Sequence, residues 1–213
     1  MNGDNHIIVE GWSQRFARAV DELLGIEGGF VDDPVDRGGA TKYGWSLRTL
    51  IIEGKIDLDD DGFADFDLDM DDDIDGVDVA RLTRGDAKFL YHRCFWLRLD
   101  ADSWARPIGE MLFDQGVNGG MVAAKKLLQR AINASLTKYR LNTPLLNVDG
   151  VLAEKTRAAL DAVVAVPAAG MAAIVIAYRD AAKDRYRAIA AANPSQKRFL
   201  AGWLNRADRL GRS

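Results

Sequence analysis

Apolar residues return along this 213-residue chain at spacings of three and four, the period that places side chains on one face of an α-helix. Phe16, Val20, Leu23 and Leu24 make one such stripe, Glu27 continues the same face, and Gly28-Gly29 then stops the helix. A second stripe runs through Ala87, Leu90, Tyr91, Cys94 and Phe95, with Thr83 placed as its N-cap. "WSLRTLIIEG" predicts a short helix ending at Gly54, and "GEMLFDQGVNGGMVAAKKLLQRAINASL" predicts two helices parted near Gly116 to Gly120. Leu141 to Gly150 lapses into turns before three more helical stretches up to "FLAGWLNRADRL". Strand is expected only beside the Gly38-Gly39 turn and within the acidic segment. The fold class is therefore mainly α, with a small β-hairpin and an acidic inserted loop.

That inserted loop, residues 57–78, holds twelve aspartates and no basic residue. The net charge of −4 thus hides a remainder with 20 acids against 28 bases. A protein basic outside one acidic loop suits an anionic polymer, which a bacterial wall and a nucleic acid both are. The nucleic-acid reading lacks a basic stripe with interleaved aromatics, and the loop repels phosphates.

Within the loop, Asp-x-Asp-x-Asp-Gly occurs twice, which is the first half of an EF-hand calcium loop. The expected ligands are Asp57, Asp59, Asp61 and Asp65 in one copy and Asp71, Asp73 and Asp75 in the other. Leu68 and Leu82 occupy the twelfth positions, where a bidentate acid belongs. The alternative is a solvated loop, or a strand with one acidic face. Mutual repulsion among so many carboxylates favours a bound, structural calcium.

The lone Cys94 cannot form an internal disulfide, which fits synthesis in a reducing cytoplasm. The first residues lack the basic start and apolar run of a secretory signal. Ala162 to Tyr178 is interrupted by Pro167 and Gly170 and reads as a loop followed by a buried helix, not a membrane span.

In "EGGFVDDPVDRGGATKYGW", a glutamate on an apolar helix face is partly desolvated, which raises its pKa as a general acid requires. Asp36, among glycines and an arginine, should stay ionised, and Thr41 stands where it could orient a water. Two carboxyl groups in contrasting environments are the usual arrangement for cutting a glycosidic bond. Against this, a glutamate at a helix end is ordinarily solvated and an aspartate beside glycine is ordinarily a turn former.

The same stretch closely resembles the signature of the glycoside hydrolase family 108 muramidases. "DAKFLYHRCFW", "LFDQGVNGG" and "GWLNR" resemble further segments of that family, and "LLQRAINASL" with "LNVDGVLAEKTRAAL" resembles a peptidoglycan-binding pattern. The resemblance implies a lysozyme-like helical fold and hydrolysis of the β-1,4 bond between N-acetylmuramic acid and N-acetylglucosamine. It divides the chain into a muramidase region over 1–120 and a helical peptidoglycan-binding region over 121–213. It implies Glu27 as the catalytic acid, with Asp36 and Thr41 as further catalytic residues. Tyr43, Trp45 and Asn118 become candidate cleft residues, whereas Trp96, Trp104 and Trp203 read as core.

The expected protein is thus a monomeric wall-lysing enzyme, made in the host cytoplasm as in a phage endolysin and acting on the wall after release by a holin. It needs no cofactor for catalysis and inserts in no membrane. A lytic transglycosylase is the enzymatic rival, and a non-catalytic wall-binding or secretion-assisting protein is the rival from another class. His6 and His92 lack the neighbours of a nucleophile motif or a zinc site.

Overall fold

The computed structural model describes residues 11–26, 30, 39–58, 60 and 62–212, the Ile26 side chain excepted. The chain parts into two compact units, Met1–Arg98 and Leu99–Ser213. Mainly helical structure with one small antiparallel pair of strands is the fold class expected from the sequence.

In the first unit α1 (Gln14–Ile26) buries Phe16, Val20, Leu23 and Leu24. Phe16 meets the rings of His92 and Trp96 at 4.7 and 5.4 Å, edge to face, the geometry aromatic quadrupoles favour. Strand β1 (Thr41–Lys42) pairs with β2 (Trp45–Ser46), Thr41 opposite Ser46 and Lys42 opposite Trp45. Tyr43 and Gly44 alone join them, with φ of 50° and 79°. This is a two-residue type I′ turn, whose twist matches that of paired strands. The described hairpin therefore turns at Tyr43-Gly44, with its first strand starting two residues after Gly39.

Ser46 caps α2 (Leu47–Glu53) by accepting from the Thr49 N–H, and Gly54 closes it. A Cβ on Gly54 would lie 2.9 Å from the Cβ of Phe66, so only glycine fits there. The acidic segment contains no strand among its described residues. It runs in bends and turns to α3 (Gly76–Arg81), a helix that the alternating aspartates concealed. Thr83 and Asp86 then form a reciprocal capping box at the start of α4 (Arg84–Tyr91), as the N-cap expectation required. A π-helical turn, His92–Leu97, follows and carries Cys94 and Trp96 into the core.

The second unit contains α5 (Ile108–Gly119), α6 (Met121–Lys138), α7 (Glu154–Val164), α8 (Gly170–Ala192) and α9 (Leu200–Arg209). The break between α5 and α6 narrows to Gly120, whose φ of 87° suits glycine. Helix α6 packs against α5, α7 and α8, and α8 also packs against α9. Because α5 lies on α6, the compact units divide at Arg98 and Leu99, not at residue 120. The Tyr178 hydroxyl, fully buried, donates to the Ala124 carbonyl at 3.1 Å. Trp104 is buried beneath the Arg157 guanidinium, 4.0 Å from its ring centre. Trp203 stacks on Tyr186 with centroids 5.4 Å apart. No described helix is long and apolar enough to cross a membrane.

Candidate active site

Glu27 and Asp36 lie outside the described residues, as does His6. Thr41 opens the hairpin, and its hydroxyl donates to the Gly39 carbonyl at 3.3 Å, leaving its lone pairs free to accept. The hairpin is held from three sides. The Tyr91 hydroxyl donates to the Tyr43 carbonyl at 3.0 Å, the Leu47 N–H donates to the Ala40 carbonyl at 2.8 Å, and the Lys42 ammonium donates to the Ala80 carbonyl at 2.5 Å. The last contact places a cation on the final turn of α3, where unpaired carbonyls and the helix dipole favour it.

Trp45 corrects the sequence reading. Its ring is 1% exposed and sits 5.1 and 6.1 Å from the rings of Tyr91 and Phe95, so it has no free face on which a sugar could stack. It is a core residue that anchors β2. Tyr43 stays partly exposed, with the Lys42 ammonium 5.6 Å from its ring centre. Asn118 is exposed on α5 in the second unit, and its amide donates to the Asp114 carbonyl one turn back at 2.8 Å. His92 packs against Phe16, with ring centroids 4.7 Å apart.

Ion pairs of two acidic residues brace the first unit. Asp21 on α1 bonds Lys88 at 2.8 Å and Arg84 at 3.2 Å on α4, and the Lys88 hydrogen bond, above all, holds its carboxyl below the usual range. Glu53 receives both guanidinium nitrogens of Arg98, at 2.9 and 2.6 Å, which likewise lowers its pKa. The Cys94 thiol also points to Glu53, and burial together with that carboxylate pushes it up to about 12.

The acidic segment groups its carboxylates differently from the expected sets. Asp67, Asp69 and Asp71 bring oxygens within 4.8 Å of one another, as do Asp73, Asp75 and Asp78. These residues fit one twelve-residue loop from Asp67 to Asp78, with acids at positions one, three, five, seven, nine and twelve. Asp72, at the sixth position where the turn is sharpest, has φ of 76°. Asp67 accepts the Asp71 and Asp72 N–H groups at 3.1 and 2.8 Å. Asp75 caps α3, which puts the twelfth residue, Asp78, in its first turn.

The grouping in the structure therefore starts at Asp67, not at Asp71, and adds Asp67, Asp69 and Asp78 to the expected carboxylates. A spacing count that asked for an acid at the twelfth place, without insisting on glycine at the sixth, would have found them. In the first copy, Asp57 accepts the Gly62 N–H at 3.1 Å and Asp65 the Leu58 N–H at 3.3 Å. Asp59 and Asp61 lie outside the described residues. Partial burial and the charge of Asp71 raise the pKa of both Asp69 and Asp73.

In the second unit the peptidoglycan-binding pattern forms one hydrogen-bonded clamp. The Gln129 amide donates to Asp149 at 2.8 Å and to the Val151 carbonyl at 3.0 Å, and it accepts the Gly150 N–H at 2.8 Å. Asn133 brackets Leu146 with two bonds of 2.8 Å, and Thr156 donates to Val151. The pattern thus pins the 141–153 connection to α6. On α5, Asp114 is gripped by Arg206 through bonds of 2.9 to 3.1 Å, so "GWLNR" and "LFDQGVNGG" meet in one ion pair.

Residues 20–120 match the family Glycosyl hydrolase 108, and residues 123–208 match the family described as Predicted Peptidoglycan domain. The first segment is therefore similar to the glycosyl hydrolase 108 family. It contains Glu27, Asp36 and the Thr41 hairpin, and the second segment contains the Gln129 clamp. With the two in one chain, the protein is a glycoside hydrolase directed at peptidoglycan. The structure of Brucella abortus SagA is similar over 93% of this chain and 96% of that chain, with a TM-score of 0.59 at 22% identity, a likeness of fold. None of the curated proteins matches the sequence. The glycosyl hydrolase 108 segment ends at residue 120 although packing assigns α5 to the second unit, so family boundary and packing boundary differ by one helix.

Proposed function

We propose that this glycoside hydrolase is an N-acetylmuramidase that cleaves the β-1,4 bond between N-acetylmuramic acid and N-acetylglucosamine. The observation that carries the reading is the glycosyl hydrolase 108 match over the segment with Glu27, Asp36 and the Thr41 hairpin. Glu27 protonates the glycosidic oxygen as the bond to C1 breaks, and Asp36 either activates a water or forms the covalent intermediate that water then resolves. Thr41 accepts a hydrogen bond from that water on a hairpin whose turn and three supports restrict its motion. The product is a reducing N-acetylmuramic acid end.

Calcium is part of the proposal. The loop Asp67–Asp78 offers the hard oxygen ligands and spacing that the ion takes, and the ion would supply charge neutralisation, not chemistry at the glycosidic bond. The protein works as a monomer, made in the cytoplasm in the manner of an endolysin and reaching the wall after release.

The test is digestion of purified peptidoglycan by the wild type and by Glu27→Gln, with the muropeptides read by mass spectrometry. Reducing N-acetylmuramic acid ends from the wild type, absent with Glu27→Gln, support the muramidase. Anhydro ends would make the protein a lytic transglycosylase, and retained wall binding without products would make it a binding protein.

A further inference from the structure

A groove of about 600 Å3 lies between α6 and α8, a volume typical of sites for small ligands. Arg130, Ala134 and Lys138 line it from α6, one turn apart in succession, and small residues on α8 keep it open. At 1.5 Å per residue the two α6 cations stand about 12 Å apart along the helix. Neither makes an ion pair among the described residues, although Lys138 lies over the ring of Tyr139. Facing them on α8 is Asp180, also without an ion pair, while Asp184 is held by Arg187 at 2.9 Å.

A polar group also stands on the wall of the groove. Ser135 is 2% exposed and lines it. A hydroxyl can both donate and accept, so one on the groove wall is suited to a ligand's amide. At one end Ile176 is 53% exposed and offers an apolar contact.

No aromatic side chain lines the groove among the described residues, so a glycan would find no ring on which to stack, and neutral sugars would leave the charges unmatched. The wall's other component has the matching chemistry. Its stem peptide presents methyl groups, carboxylates and the ammonium of a diamino acid, over about 10 Å for three residues.

We propose that the α6/α8 groove binds the peptidoglycan stem peptide, with Arg130 and Lys138 on its carboxylates, Asp180 on its ammonium and Ser135 on a backbone amide. This rests on the peptidoglycan-hydrolase reading and adds the recognised part of the polymer. Binding here selects peptide-bearing wall independently of the bond-cleaving chemistry.

The experiment is an NMR titration of the full chain with a synthetic tripeptide, L-Ala-γ-D-Glu-L-Lys, and separately with the peptide-free disaccharide of N-acetylglucosamine and N-acetylmuramic acid. The tripeptide should shift amides of residues 130–138 and 173–188. Arg130→Glu combined with Lys138→Glu should weaken it by about tenfold or more, and Ala134→Trp, at an exposed position, should abolish it while the circular dichroism spectrum is retained. Unmoved groove amides, or equal shifts from the disaccharide, would overturn the proposal. Release of reducing ends from the wall is measured on the same samples. Hydrolysis without tripeptide binding defeats the groove alone, and tripeptide binding without hydrolysis defeats the muramidase reading alone.

Discussion

Gln129 on α6 and Asp149 in the following connection are joined by a hydrogen bond of 2.8 Å, and the same amide also bonds Gly150 and Val151. Gln129→Ala removes three bonds at a buried site, a loss of about 2 kcal/mol of unfolding free energy. Chemical denaturation of Gln129→Ala, Asp149→Ala and the double variant should show strong non-additivity, since both act on one clamp. The Gln129 and Val151 N–H donors hold the Asp149 carboxyl below 3.8. Its stabilising contribution is therefore complete above that value and is lost as pH falls through the folded-state pKa. Asp149→Asn should flatten the acid side of the stability profile.

Gly44, with φ of 79°, is the second residue of the type I′ turn. Gly44→Val forces a β-branched side chain into left-handed backbone, at a cost of about 1–3 kcal/mol, whereas Gly44→Asn is tolerated. Thermal melts of the two should separate clearly. The Val variant should also lose wall-degrading activity at temperatures where it stays folded, because Thr41 sits across the same turn.

Cys94, its thiol pushed up to about 12, remains protonated throughout the physiological range. Thiolate is the reactive form, so iodoacetamide should leave the native protein unmodified for hours at pH 8. It should alkylate the residue promptly in denaturant. Rapid labelling of the native state would show that the core around Glu53 and Arg98 opens readily.

Removing calcium should loosen the acidic insertion. In chelator the melting temperature should fall, and Asp67→Asn or Asp78→Asn should erase the difference between calcium and chelator. Isothermal titration calorimetry of the chelated protein measures the binding itself. A protein whose melt ignores calcium has a solvated acidic loop in place of a metal site.

Much of the helical framework was legible because it follows one rule. The stripe from Phe16 to Leu24 and the Thr83 cap are local patterns with local causes. Trp45 was misread because an aromatic beside a functional motif looks alike whether it faces a sugar or a core, and the partners that bury it, Tyr91 and Phe95, lie far along the chain. The α3 helix escaped notice because its capping aspartates also satisfy an alternating pattern. The α6/α8 groove was illegible for another reason. It is made by two helices more than thirty residues apart, which only packing brings together.

Helix α5 belongs by family to the hydrolase segment and by packing to the peptidoglycan segment. A fragment cut at residue 121 would strip α6 and α8 of the surface that buries Met111, Leu112 and Phe113, and would also remove Asp114 from Arg206. The two parts of this protein are therefore not interchangeable cassettes. Any transplant of the wall-recognising half must carry the last helix of its neighbour, and recombination in the lineage would be expected to respect a seam near residue 99.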